Sequence, residues 1–383
     1  MRLLWIRREA LDPIRGGGHI RTVNVMRQLA RRHSIDLLSF ADGTGPSSAP
    51  PELPTVRVLG VSVATRGSRG WRSTLLPGMV ASNHSVAMRD LIAGIHRQYD
   101  KVVVDSLHVA LNVPDLTNAI LCQHNVETSL LYRSLPYRRG RRDQLMMAAD
   151  IARLYFYERR ICRSVRHVWA VSAEDQALMR SLFGVTRVTN TGTGVDAAWF
   201  GRPATTAPVA DLVFVGSMNW APNADGVRFF VRQVLPIIRQ SIPGCTLALV
   251  GRDPDGSVVR AAQDDPAISV TGTVPDVRPY LWGARVAVVP LRIGGGTRIK
   301  IFEAMAAGCP VVSTSIGCEG LGLTAGRHLL VGDDPGEFAA LCIRMLADRA
   351  AAAELAAVAR EFVASECTWE RVAARCEIAL NAA

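Results

Sequence analysis

The eight cysteines contain no C-x-x-C pair and share no regular interval. That excludes the usual zinc ribbon and the thioredoxin-type redox motif. Cys122 and Cys309 sit inside apolar runs and read as small buried hydrophobes in a reducing compartment. No apolar run reaches the length of a membrane-spanning helix. Met1 to Arg8 lacks the basic start, long apolar middle and small-residue cleavage site of a signal peptide, so the expected location is the cytoplasm. Aromatics are only 6% of the residues, and no basic run interleaves with them, so nucleic acid is not an expected partner. A complete dinucleotide fingerprint is also missing. Gly16, Gly17 and Gly18 are followed by Arg21 where a third glycine belongs, which disfavours NAD; Asp42 is the residue that would hold a ribose if that reading held.

What remains is material for ordinary cores. The chain has 383 residues, 49% hydrophobic and 20% charged, which suits two soluble globular domains. The net charge of +10 favours anionic partners: nucleotides, or a phospholipid surface met peripherally at the inner face of a membrane.

One stretch, Arg292 to Val312, organises the reading. The apolar run Val286 to Leu291 predicts a buried strand, and Gly294, Gly295 and Gly296 open a loop. Thr297 is the expected N-cap of a helix over Arg298 to Ala307; Gly308 stops it, and Pro310 to Ser313 begins another strand. Glycines admit a ligand close to the backbone, and the N–H groups of a first helical turn point at it. Arg298 and Lys300 add two cations, and Glu303 one acid. Such a site suits a phosphate joined to a hydroxylated ring, as in a sugar nucleotide.

Two strand–helix series run along the chain. The first starts with Leu3 to Ile6, the Arg15 to Arg21 glycine loop, a helix, and a strand over Ile35 to Phe40. Residues 64–82 are basic and tipped with aromatics, and read as a solvated loop or an acceptor-side or membrane-facing element. The strand over Ala119 to Gln123 ends in His124. Ligands of open α/β sheets bind at the carboxyl ends of strands, so His124 lies where chemistry is expected. Pro203 to Pro208 has linker composition. The expected division is 1–203, 204–365 and a C-terminal helix over 366–383 that packs back on the first domain. The second series begins with the strand Leu212 to Gly216. The fold class is therefore α/β, with two Rossmann-like domains facing a cleft.

Taken together, CQHNVE (122–127), VFVGSMNWAPN (213–223) and VVPLRIGGGTRIKIFEAMAAGCPVVSTSIGCEGL (288–321) resemble the retaining glycosyltransferases of family 4, which have the GT-B fold. The resemblance covers nearly the whole chain. It implies that a nucleotide-diphosphate sugar binds mainly to the second domain. Arg298, Lys300 and backbone N–H groups near Gly295, Gly296 and Thr297 would hold the diphosphate, with Gly216 below it. Glu303 would hold the ribose, and Arg252, Thr273 and Val274 would flank the base. Gly16, Gly17 and Gly18 would close over the diphosphate, and His124 would face the transferring sugar. The family often carries a further glutamate where this chain has Gly295, and its Gly-Arg…Lys phosphate pair is changed here to Gly216-Ser217-Met218.

The implied activity is transfer of a sugar to an acceptor hydroxyl with retention of configuration, in glycan, exopolysaccharide or glycolipid biosynthesis, with no cofactor. No metal-ligand cluster is visible in the sequence, and none is needed if cations neutralise the diphosphate. A non-catalytic nucleotide-binding member of a glycan assembly complex and a sugar-nucleotide epimerase remain the alternatives.

Overall fold

The structure, a computed structural model, describes residues 1–12, 16–41, 49–62, 76–137, 140–254 and 256–382. Asp42 and residues 64–75 of the basic segment lie outside them. The described residues form two compact units, Met1–Gly192 with Trp369–Ala383, and Thr193–Thr368.

The first unit holds β1 (Arg2–Arg7), β2 (Ser34–Ala41), β3 (Arg57–Ser62), β4 (Lys101–Asp105), β5 (Ala119–Cys122), β6 (His167–Ala170) and β7 (Val188–Asn190). They form a seven-stranded sheet in the order β3-β2-β1-β4-β5-β6-β7. Every pairing is parallel. Helices cover such a sheet on both faces, which is why its strands read as near-continuous apolar runs. Leu4 and Ile6 of β1 enter one core with Val102, Val104 and Leu121, while Trp5 stacks toward Trp169 on the other face. Ser172 caps the helix Ala173–Phe183 by accepting from Asp175 N–H.

The second unit repeats the plan with β8 (Ala210–Val215), β9 (Leu247–Val250), β10 (Ile268–Gly272), β11 (Ala284–Val289), β12 (Val311–Ser313) and β13 (Leu330–Val331). The order is β10-β9-β8-β11-β12-β13, again all parallel. The helix that follows β8 starts at Ala221, because Pro222 suits a first turn. It runs as Ala221–Phe229, a π-turn Phe230–Val234, and Leu235–Ser241.

The boundary between units lies at Gly192/Thr193, not within Pro203 to Pro208. Residues 193–202 belong with the second unit because they are tied to it. Val195 N–H donates to the Cys367 carbonyl at 2.8 Å, Trp282 Nε1 donates to the Phe200 carbonyl at 2.8 Å, and Arg278 stacks over Trp199 at 3.7 Å. The last helix begins at Trp369 and belongs to the first unit, where Gln28 Nε2 donates to Glu370 at 2.9 Å. No helix among the described residues is long and apolar enough to cross a membrane.

In both sheets the strand order reverses once, between β1 and β4 and between β8 and β11. Loops leaving a parallel sheet on either side of such a reversal diverge and leave a crevice. In the second unit, the helix Ala221–Phe229 is pressed against one of those loops: a Cβ on Gly226 would lie 2.7 Å from the Pro290 carbonyl oxygen. Gly226→Ala is therefore expected to destabilise the protein. Overpacking costs about 1–3 kcal/mol, against about 1 kcal/mol gained in helix propensity. Urea unfolding with a midpoint unchanged or raised would show that this contact relaxes freely.

Candidate active site

The crevice of the second unit is lined by the loops after β8 and β11. Lys300, in the first turn of the helix Ile299–Ala306, turns its ammonium toward the end of β8. Nζ donates to Asn223 Oδ1 at 2.7 Å and sits 4.3 Å from the centre of the Phe214 ring. Asn223 is itself buried and held in place, since its Nδ2 donates to the Ser217 carbonyl at 2.8 Å. Gly216 is what makes the niche: a Cβ there would fall 2.6 Å from Lys300 Nζ and 2.8 Å from Asn223 Nδ2. The absence of a side chain at Gly216 thus leaves room for the lysine. Asn223 was not singled out as a partner, although it lies inside the VFVGSMNWAPN stretch.

Glu303 is one turn further along the same helix and buried. Its carboxylate accepts no hydrogen bond from a described side chain. Burial pushes its pKa up to about 7, with the charge of Lys300 opposing. Burial pushes Lys300 down to about 7, with Glu303 opposing. An ammonium kept in so dry a place with one neutral hydrogen-bond acceptor is short of negative charge.

The Gly294 to Thr297 loop lies beside it. The N–H groups of Gly295, Gly296 and Thr297 donate to no described residue. The loop is anchored by Arg292, which grips Asp225 with two hydrogen bonds, 3.0 and 2.8 Å, and lies over the Phe229 ring. The expected cap is corrected here. Helix 299–306 begins one residue later than Thr297 would allow, and its N-cap is Arg298, at φ 34° and ψ 40°. Non-glycine residues rarely take that left-handed conformation. Its result is to swing the Arg298 side chain away from Lys300 and onto Glu319, with Nη2 3.2 Å from Oε2 and Nη1 donating to the Glu319 carbonyl. Arg298 is therefore not a second bare cation, and no spacing rule linked it to Glu319.

The remaining second-unit residues share this sheet edge. Arg252 follows β9, its carbonyl accepting from Met218 N–H at 3.0 Å, and Thr273 and Val274 follow β10. Thr273 is exposed and Val274 is half-buried. They stand one and two strands out from the switch point, while Gly216, Lys300, Glu303 and Gly295 to Thr297 stand at it.

The first unit has its own group. The helix Gly17–Leu29 starts at Gly16, φ 154°, and brings Gly18 within 3.9 Å (measured from an added Cβ) of His124 Nδ1. His124 Nε2 is 2.5 Å from Asp105 Oδ1. Asp105, at the end of β4, also accepts from Arg7 at 2.7 Å, Thr22 at 2.7 Å and Trp5 at 3.1 Å. Burial alone would raise the Asp105 pKa; the charges of Arg7 and His124 and the hydrogen bonds from His124 and Thr22 override it and hold the carboxyl well below its usual range. His124 Nδ1 is buried without a hydrogen-bond partner among the described residues. An ionised Asp105 fixes the ring and favours the proton on Nε2, leaving Nδ1 as an acceptor. A charged residue closing the apolar strand KVVVD was the signal in the sequence for Asp105.

The fold also assembles something the sequence spacing did not reveal. Ligand atoms of Asp105, Cys122 and His124 lie within 4.8 Å of one another. Their surroundings oppose a cation. Arg7 already neutralises Asp105, and Arg21 Nη1 lies 3.1 Å from Cys122 Sγ. Burial pushes the Cys122 thiol up to about 12, so it stays protonated. Arg21, wholly buried and bonded to Thr191 Oγ1 at 2.7 Å, also fills the place where a dinucleotide-binding helix would carry its third glycine.

Two parallel sheets, each with a crevice at its strand reversal, define a two-domain α/β protein of the GT-B type. Residues 210–348, all within the second unit, match the family described as glycosyl transferases group 1. An uncharacterized 44.6 kDa protein in the cps region of Klebsiella pneumoniae is 27% identical over 136 residues. That match covers 34% of this chain and about a third, 35%, of the relative. Solved structures match the whole chain. A sucrose-phosphate synthase from Thermosynechococcus elongatus superposes with a TM-score of 0.74 at 17% identity, over 100% of this chain and 98% of that one. Anabaena HepE in complex with UDP and glucose superposes with 0.67 at 14% identity, over 100% of both.

The Lys300 niche has a signature in stability. The folded pKa near 7 lies below the ordinary lysine value of 10.5. Stability from this group is therefore full above pH 10.5 and falls as pH drops toward 7. Lys300→Met should lose that slope. The rise in unfolding free energy between pH 7 and 9.5 is expected to be about 1–3 kcal/mol smaller than in the parent. Parallel curves for the two proteins would mean the ammonium is fully solvated.

Proposed function

We propose that the chain is a glycosyltransferase that moves a sugar from a nucleotide-diphosphate sugar to an acceptor hydroxyl with retention of configuration. The observation that carries this reading is the underpaired Lys300 ammonium beside three unused N–H groups, at Gly295, Gly296 and Thr297. A diphosphate supplies the negative charge that this arrangement lacks. Glu303, on the same helix face, takes the ribose hydroxyls, and the base runs along the edge toward Arg252, Thr273 and Val274. Gly216 keeps the floor of the niche open. Arg298 reaches the diphosphate only by exchanging Glu319, so Lys300 is the principal cation.

In this reading, charge gathers on the leaving diphosphate as the glycosidic bond breaks. Lys300 and the N–H donors bind that charge most strongly in the transition state, in a site that excludes water. The sugar becomes oxocarbenium-like, and the departing phosphate takes the acceptor's proton on the same face. In the first unit, His124, held by Asp105 with the Gly16, Gly17 and Gly18 turn beside it, is the candidate for orienting a substrate hydroxyl. No cofactor or metal enters the scheme. The UDP and glucose in the similar HepE structure support a UDP-sugar donor. The role proposed is in glycan, exopolysaccharide or glycolipid assembly, on the cytoplasmic side; the similar protein of Klebsiella pneumoniae is described only by its place in the cps region.

The test begins with thermal-shift screening against UDP-, GDP-, dTDP- and ADP-sugars, followed by turnover with the stabilising donor. Lys300→Ala should lower turnover by about 10²-fold or more. Near-parental transfer by a folded Lys300→Ala protein would refute the diphosphate assignment, and a product of inverted anomeric configuration would refute retention. Glu303→Ala should weaken the nucleoside diphosphate by at least about tenfold in calorimetry, the loss of one charge-assisted hydrogen bond or more. Unchanged affinity there removes the ribose role.

A further inference from the structure

The longest described helix of the first unit, Arg141–Ser164, buries one face and leaves large apolar side chains exposed on the other. Leu154, Tyr157, Glu158, Ile161 and Cys162 are buried. At 100° per residue they occupy one side, and the two remaining acids, Asp143 and Asp150, fall on that side too. Asp150 is further engaged by Gly78 N–H at 3.3 Å. The opposite arc, about 120° wide, is apolar in its middle and basic at its ends. Leu145, Ala149, Ala152 and Phe156 follow one another at helical spacing, with Arg142 before them and Arg160 and Arg163 after. Leu145 is 72% exposed and Phe156 68%. Met146, 62% exposed, widens the apolar strip. The strip runs about 32 Å from Arg142 to Arg163. Beside it the helix Glu127–Ser134 presents Tyr132, 66% exposed, and is tied to the long helix where Ser134 Oγ meets Met147 Sδ at 3.7 Å.

A continuous exposed strip of large apolar side chains marks an interaction surface. Charge selects the occupant. No acid lies on the outward arc, and no described carboxylate pairs with Arg142, Arg160 or Arg163. A second copy of this helix, laid on the strip in either direction, brings arginine against arginine. A flat surface with an apolar layer beneath anionic groups matches both features: the leucine and phenylalanine enter the acyl boundary while the guanidinium groups meet phosphates.

We propose that the outward face of helix Arg141–Ser164 is a peripheral docking surface for an anionic lipid bilayer. This adds a location to the catalytic reading but does not depend on it, since binding needs no donor or acceptor.

Co-sedimentation of the full chain with vesicles tests it. The protein should pellet with vesicles of phosphatidylglycerol and phosphatidylcholine and stay in solution with phosphatidylcholine alone. The double change Leu145→Glu with Phe156→Glu should weaken binding at least about tenfold, because it removes two apolar anchors and adds repulsion. Arg142→Gln with Arg163→Gln should weaken it by about fivefold per arginine at low salt, less at high salt. Thermal melting of all four variant positions should match the parent, since the side chains are exposed. Absence of binding to the anionic vesicles overturns the proposal, as does binding that the Leu145/Phe156 pair leaves intact. A dimer seen by analytical ultracentrifugation and lost in that same pair would reassign the face to a second copy and equally overturn it.

Discussion

The second unit depends on a single constraint: one ammonium group is held where water is scarce and no carboxylate pairs with it. Three features impose this. Gly216 withholds a side chain, Asn223 offers one neutral acceptor, and Phe214 presents a ring face. Each comes from a different part of the chain, and the strand reversal between β8 and β11 brings them together. The anchoring around them serves the same end. Arg292 and Asp225 lock the glycine loop, and Arg298 is turned aside onto Glu319, while the N–H groups of Gly295, Gly296 and Thr297 donate to no described residue. The burial that disfavours the charged lysine would, in the proposed function, strengthen its attraction for a diphosphate.

The first unit handles charge in the opposite way. Asp105 is saturated, with Arg7, Thr22, Trp5 and His124 all donating to it. A buried carboxylate so fully paired is rigid, and its effect is to aim His124 and fix which ring nitrogen carries the proton. The nearby Arg21 does related work on Cys122 and Thr191, closing the helix Gly17–Leu29 onto the sheet. One switch point is thus left underpaired, and the other is overdetermined so that the imidazole is fixed with Nδ1 unpartnered among the described residues.

The two surfaces of the helix Arg141–Ser164 illustrate how the same arginine-rich composition takes different roles by position. Arginines inside the first unit, Arg7 and Arg21, are consumed by internal partners. Those at the ends of the exposed strip have none among the described residues. The net charge of +10 is therefore uneven in consequence: part of it stabilises buried polar groups, and part stays available at the surface.

Periodicity and punctuation alone determined much of this protein. The α/β class, the doubled strand–helix series, and the glycine loop followed by Lys300 and Glu303 were all legible, because apolar runs and glycines act locally. The unit boundary was not, since residues 193–202 follow contacts to Cys367, Trp282 and Arg278 and not their own composition. Nor could spacing foretell that Arg298 would take a left-handed cap and pair with Glu319, or that Asn223 would meet Lys300 from 77 residues away. Those pairings depend on which loops the sheet order sets side by side. Local chemistry chose the residues at each strand's end; only the packed sheet decided which ends meet, and hence which charges are cancelled and which are left for a ligand.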